Sequence, residues 1–370
     1  MTLCANKKAL LVVGIFSKFL GGDQSRLGVE ITPERINLAH IGRKGNRLQL
    51  QDFVSVELPD GLFQDGRVLD SFSLSDLLRT AINDNRIRTK RVSTAVPGRE
   101  VITRLLPMPA ELDDAELRET LINQEAALFL PFPREEADID YLKLDYFLDA
   151  DEVEKLHVLL VATRRQVTDV YLDLFAQAGL TPDIVEVGSF ALIRTIREAL
   201  RQYGLQEAVI LLNVEYDLTE IVIIVGGVPR FSRTIAMGTQ QWQRAAAQAG
   251  IDNTGRGIDF LQGRSFTLLE PPADLLSQAL ARSVTELCDE VRRSADFYLS
   301  QETDIEVAKL YVAGPGSALP TLPEFLGQRL GLPVELVDPV EGLGLEVAEN
   351  LYLPNRADVG VVLGLATRGV

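Results

Sequence analysis

One arrangement of short apolar runs occurs twice in this chain, and that recurrence constrains the fold more than any other feature. In residues 27–58, Val29, Ile31, Ile36, Leu38 and Ile41 mark strand positions. Arg43-Lys44-Gly45-Asn46 reads as a turn, and residues 48–56 return as a third strand. Half a chain later the order repeats. Residues 209–214 read as a buried-type strand, 220–225 as a second, Gly226-Gly227 as the turn and 231–235 as a third. Ile36 and Gly42 correspond to Ile221 and Gly227 at an offset of 185, half of the 370 residues. The repeat predicts two similar α/β halves.

Length and composition agree with such a plan. A chain of 370 residues is expected to form two or three units. Its 46% hydrophobic and 24% charged content is that of a globular protein. The 53 acids against 37 bases give a net charge of −16, which repels a nucleic-acid backbone and excludes it as the expected partner. Cys4 and Cys288 define no disulfide framework, and His40 and His157 are too few for a histidine metal site, so a reducing compartment is expected. Near the N-terminus, residues 9–16 are apolar and follow Lys7-Lys8, but Lys18 interrupts the run and no small-x-small site follows. Residues 1–25 therefore read as a leader, and the chain is expected to carry no transmembrane segment.

Between the repeats, helical spacing covers residues 73–83 (Leu74, Leu77, Leu78, Ile82) and 113–130 (Leu117, Leu121, Ala127, Leu128). Further helices are expected at 165–178, 190–202, 238–249, 273–300 and 322–330. Strands are expected at 91–96, 101–106, 156–162, 182–187 and 304–312, the second stopped by Pro107-Met108-Pro109. A glycine-bearing loop with Gly255, Gly257 and Gly263 precedes the longest helix, and residues 360–367 form a closing helix packed on the first half. These expectations divide the chain into a first lobe at 26–205 with an insertion at about 104–182. A second lobe follows at 206–345 with a helical part at about 239–303, and 346–370 return to the first lobe.

A strand-turn-strand opening each half, with a glycine-rich strand-to-helix turn late in the chain, resembles the actin/Hsp70/FtsA superfamily. Several segments resemble PilM-type type IV pilus assembly proteins more closely. They are Ala95-Val96-Pro97-Gly98 followed by Val101-Ile102-Thr103-Arg104, Gln124-Glu125 running into Leu130-Pro131-Phe132-Pro133, residues 159–164, and Arg293-Ser294 followed by Asp296-Phe297-Tyr298-Leu299. The resemblance implies an actin-like (ribonuclease H-like), two-lobed α/β fold with an FtsA-type inserted small subdomain. It also implies a cytoplasmic protein held at the inner membrane by its partners. Those partners are the N-terminal cytoplasmic peptide of the membrane protein PilN and other inner-membrane pilus proteins; an oligomer is compatible with this reading.

The resemblance makes ATP or ADP with magnesium the cofactor to consider. The first phosphate loop of the superfamily, approximately D-I-G-S-S-S-I-K, corresponds to residues 30–37, where its glycine is replaced by Thr32, Pro33 donates no N–H and Glu34 adds negative charge. A carboxylate about 5 Å from a phosphate charge, at an effective dielectric of ~20, repels it by about 3 kcal/mol, or about two decades of affinity. Arg35 offsets this only if it turns inward. The second loop, normally D-I-G-A-S-T-T, corresponds to residues 213–219, with Asn213 for the acid, Glu215 for the glycine, and Asp217. Both loops argue for nucleotide binding that is weak or lost, with no catalytic residues. On the nucleoside side, Gly314, Gly316 and Ser317 match the adenosine loop, and Glu290 and Arg293 lie one helical turn apart on the long helix. The alternative is that the glycines only pack helix on strand and that Glu290–Arg293 is a surface ion pair.

For the partner peptide, apolar residues cluster around two proline-closed turns, and Leu105, Leu128, Leu130 and Phe132 are the candidate contacts. They also suit an ordinary core of the insertion. Two other functions fit the same superfamily: an active actin-like ATPase that drives assembly, and an FtsA-like division protein polymerising beneath the membrane. The second expects an amphipathic C-terminal helix, which residues 360–367 do not resemble.

Overall fold

The computed structural model describes residues 26–64, 66–149, 151–251, 258–261, 268–269, 274–302, 304–353 and 355–368. The expected leader and the glycine-bearing loop with Gly255, Gly257 and Gly263 lie outside them.

The chain begins with a meander, β1 (Leu27–Ile31), β2 (Arg35–Lys44) and β3 (Arg47–Glu57), then a small hairpin of β4 (Phe63–Gln64) and β5 (Arg67–Val68). Helix α1 (Ser71–Asp84) starts at Asp70, whose side chain accepts from the Ser73 N–H. It buries Leu74, Leu78 and Ile82, the spacing that predicts it. Strand β6 (Arg91–Val96) then joins β1 in parallel.

The inserted module follows. Its strands are β7 (Val101–Pro109), β8 (Ala137–Leu148) and β9 (Glu154–Arg164), in the order β7-β9-β8. The expected helix at 113–130 forms as α2 (Asp114–Thr120), one wide π turn and α3 (Ala126–Phe129), opened by a reciprocal Asp113/Glu116 capping box. Strand β7 does not stop at Pro107 but runs to Pro109, because it is an edge strand bonded only to β9 and a missing N–H costs nothing on its open side. Strand β8 was not anticipated from the sequence, where Asp138, Asp140 and Asp145 depress strand propensity.

Helix α4 (Arg165–Gln177) and strand β10 (Thr181–Val187) build onto the first sheet, with Gly179 at φ +75° turning the chain between them. The expected helix at 190–202 forms in two pieces, α5 (Gly188–Thr195) and α6 (Arg197–Leu200), broken at Ile196. The second half opens with its own meander, β11 (Glu207–Val214), β12 (Thr219–Val225) and β13 (Val228–Ile235). It continues through α7 (Thr239–Gln248), α8 (Leu275–Leu299), β14 (Glu306–Ala313), α9 (Leu322–Leu330) and β15 (Val334–Leu336). The chain then returns through α10 (Pro339–Gly342) and β16 (Leu345–Val347), and closes with α11 (Gly360–Ala366).

The two large sheets share one plan. The first has the order β10-β6-β1-β2-β3-β16 and the second β13-β12-β11-β14-β15; each is an antiparallel meander extended in parallel beyond its first strand. Strand β12 is buried throughout and β11 nearly so, which their unbroken apolar runs require. The offset of the repeat needs correction. Ile31 pairs with Ile36 in the first hairpin and Val214 with Thr219 in the second, so the halves match at 183 and the counterpart of Ile36 is Thr219. Gly42 lies within β2, whereas Gly227 sits in the β12–β13 turn. Periodicity of period two sees which faces are apolar, and a slip of two positions preserves it.

Helix α11 lies against β1 and α5, as expected of a closing helix on the first half. It approaches so closely that a Cβ on Gly28 would stand 2.5 Å from the Val362 carbonyl oxygen. The module's sheet packs Leu159 and Val161 into the cluster that holds Val209, Leu211, Val222 and Ile224 of the second sheet. Its other face carries the module's own core of Leu106, Met108, Leu117, Leu121 and Leu160.

Candidate functional site

The β1–β2 and β11–β12 hairpins face one another between the halves. Each four-residue turn is closed in the same way, by the Thr32 N–H bonding the Arg35 carbonyl and the Glu215 N–H bonding the Leu218 carbonyl, both at 2.9 Å. The Thr32 hydroxyl also folds back on its own turn, to the Arg35 amide and carbonyl. Arg35 does turn inward, where its Nη1 bonds Asp358 Oδ2 at 2.9 Å, a partner 323 residues away that no local pattern announces. Asn213 donates to Glu215 at 2.8 Å and Asn37 donates to Glu30 at 3.0 Å. Asp217 is met across the cleft by Arg99 at 3.1 Å. The structure therefore brings Thr32, Arg35, Asn213 and Asp217 to one cavity or its rim.

That cavity is small, about 70 Å³, and acid-lined. Burial pushes the Glu30 carboxyl up to about 7, partly opposed by the Asn37 hydrogen bond. Burial and then the Glu30 charge hold Glu215 well above the usual carboxylate range. Glu220, under Gly98, is raised to about 7 by burial. Asp358 is likewise raised by burial, with Arg35 pulling the other way. Burial disfavours the Arg35 charge, but Asp358 and Glu34 outweigh it.

The glycine turn sits beside the second hairpin. Gly314 has φ +82°, and a Cβ there would lie 2.6 Å from the Val214 carbonyl oxygen, so the position admits only glycine. Its N–H bonds the Ala357 carbonyl at 2.9 Å. Gly316 and Ser317 are buried, and the Ser317 hydroxyl bonds back to the Gly314 carbonyl. Glu290 and Arg293 stand elsewhere. They pair with each other on α8, and Glu290 also meets Arg233 of β13 at 3.0 Å. Strand β13 is three places across the sheet from β14, which feeds the glycine turn. The Arg293 hydrogen bond, ahead of Arg233, keeps the Glu290 carboxyl below its ordinary range.

A larger groove, about 350 Å³, opens where the module meets the first half. Gly66, Arg67 and Val68 of the small hairpin form one wall. Glu100 and Arg164, at the roots of β7 and β9, form another, and Gln166, Val167, Val170 and Tyr171 of α4 line the rest. Arg67 Nε reaches Glu100 at 3.1 Å. Of the candidate partner residues, Phe132 comes nearest, its ring 4.3 Å from the Arg164 guanidinium. Leu130 packs against the module core, Leu105 is half-buried on β7, and Leu128 is exposed. Val167, Val170 and Tyr171 were not singled out from sequence, because an apolar stripe on a helix carries the same signal whether it meets core or ligand.

Among the described residues, no cluster of histidine, cysteine or carboxylate side chains is placed to hold a metal ion, and no helix is long and apolar enough to cross a membrane. Among solved structures, the chain resembles the PilM-PilN type IV pilus biogenesis complex, with 24% identity, 94% of this chain and 99% of that one covered, and a TM-score of 0.79. It also resembles the ethanolamine utilization protein EutJ from Carboxydothermus hydrogenoformans, with 13% identity, 96% and 93% covered, and a TM-score of 0.54. MreB5 of Spiroplasma citri bound to ADP matches with 10% identity, 92% and 95% covered, and a TM-score of 0.50. These likenesses establish the actin-like, two-lobed α/β fold. The sequence pattern of the type IV pilus assembly protein PilM matches residues 28–370. The chain belongs to the PilM family of type IV pilus assembly proteins.

Proposed function

We propose that the chain is a scaffold of the pilus machine that seats the N-terminal peptide of a PilN-type membrane protein in the groove between its first half and the inserted module. On this reading it stays at the cytoplasmic face of the inner membrane through that partner. The carrying observation is the contrast in room. At about 350 Å³ the groove falls within the roughly 300–1,000 Å³ usual for ligand pockets, and the inter-lobe cavity, about 70 Å³, does not. The groove also mixes apolar residues (Val68, Val167, Val170) with charged rims (Arg67, Glu100, Arg164), which suits an extended peptide.

The cleft is read as no longer suited to a nucleotide. The amides of Thr32, Glu215 and Gly314 are already bonded to carbonyls, and Pro33 has none. Burial already disfavours charge on Glu30, Glu215 and Asp358, and a phosphate chain beside them would add to that cost. The Arg35–Asp358 and Arg99–Asp217 ion pairs also stand at the cleft. Calorimetric titration tests both halves of the proposal. Binding of a synthetic PilN-type N-terminal peptide in the micromolar range, with no heat from magnesium ATP, is the expected result. Silence toward the peptide at about a hundred micromolar, or tight ATP binding, would overturn it.

A further inference from the structure

Tyr171 holds an unusual position in the groove. Its side chain is 1% exposed, its ring packs in the core of the first half, and its hydroxyl has no hydrogen-bond partner. Among the described lining residues, it alone carries a buried polar side-chain atom without a partner. Arg67 and Glu100 satisfy each other, and Arg164 lies under the Phe132 ring. Native proteins rarely leave a buried hydroxyl unpaired, and where they do the group calls for an explanation.

The chemistry of the partner follows from the surroundings. Burial, followed by the Glu100 charge, raises the phenol above its ordinary range, so it keeps its proton and remains available as a donor. The missing group is therefore an acceptor. A carboxylate there would face Glu100, so a neutral carbonyl is favoured. An extended peptide presents main-chain carbonyls on one side at every second residue, roughly 6.8 Å apart, whatever its side chains.

We infer that the Tyr171 hydroxyl is a specificity-determining donor that bonds a main-chain carbonyl of the peptide in the groove and so sets the register of that peptide. This rests on the groove being the partner's seat, as proposed above. Thr168, one helical turn earlier on α4, supplies an internal control. Its hydroxyl is also buried and unpaired, but Thr168 does not line the groove.

The experiment compares the full-length wild type with Tyr171→Phe and Thr168→Val. Each is titrated with the PilN-type N-terminal peptide and unfolded in urea. Tyr171→Phe is expected to bind about tenfold more weakly while its unfolding midpoint holds or rises, since the folded state loses an unpaired polar group. Thr168→Val is expected to bind like wild type. Equal affinity for wild type and Tyr171→Phe would overturn the inference and leave the groove reading intact. A matching loss of affinity in Thr168→Val, or a fall in midpoint that accounts for the loss in Tyr171→Phe, would also overturn it. A wild-type chain that ignores the peptide would sink both readings.

Discussion

The inter-lobe cavity and the module groove share a wall at Gly66 yet have opposite characters. The inter-lobe cleft is closed on itself: its turn amides are bonded internally, and its arginines are spent on Asp358 and Asp217. The module groove keeps its volume, and the Tyr171 hydroxyl is left unpaired. On the proposed reading, the Arg99–Asp217 pair joins the halves at the cleft and the larger opening lies at the inserted module.

If the cleft is a packed joint, substitutions there should act on stability. Gly314→Ala combines a left-handed φ with a Cβ against the Val214 carbonyl, so it should destabilise the fold by about 4 kcal/mol, read from urea unfolding. A neutral result would mean that the turn has room for a ligand, and the contrast would fail. In the groove, the effect should fall on binding instead. Val167→Glu places a carboxylate on an apolar part of the lining, and peptide affinity should drop about a hundredfold, roughly 2.7 kcal/mol, with the unfolding midpoint little changed.

The buried carboxyls sharpen the comparison through pH. The folded-state value of Glu220 is about 7, above the ordinary 4.5, so the folded state holds a proton that the unfolded chain has released. Its contribution is complete below about pH 4.5 and is lost as pH rises through about 7. Glu220→Gln removes this dependence. Its stability relative to wild type should rise by about 2.5 kcal/mol between about pH 5 and about pH 8, measured as paired urea midpoints. A constant difference would show that Glu220 is ionised and paired throughout. Smallest of all, Phe132→Ala should weaken the peptide roughly threefold, about 0.7 kcal/mol, by freeing the Arg164 guanidinium from its ring. An unfolded Phe132→Ala protein would instead make that ring part of the module's core.

Local pattern carried much of the fold. The meanders, α1, α4, α8 and α9 lie where periodicity and turn residues put them, because each buries one face and its spacing records that face. The insertion was legible less fully. Its helix carries an unforeseen wide turn at Leu121–Glu125, and β8 was hidden by acids on strand positions. At the cleft, the turns without glycine, Pro33 and the acids at positions 34, 215 and 217 were plain in the sequence, but the parts played by Glu30, Asp358 and Arg99 were not. The roles of Asp358 and Arg99 come from contacts 323 and 118 residues away. Glu290 and Arg293 show the limit from the other side: correct helical spacing made them a pair, but it could not tell which strand they would face.

Three things were legible in the residue order alone: a twofold α/β plan, the absence of glycine from the 30–37 and 213–219 turns, and an inserted module. All three are written in the order of apolar, glycine and acidic positions along short stretches. The register of the two halves, the partners of Arg35 and Asp217, and the groove beside α4 emerged with the folded chain. Those depend on which surfaces meet after the chain closes, and an apolar stripe such as Val167, Val170 and Tyr171 reads the same whether it meets the core or an open groove.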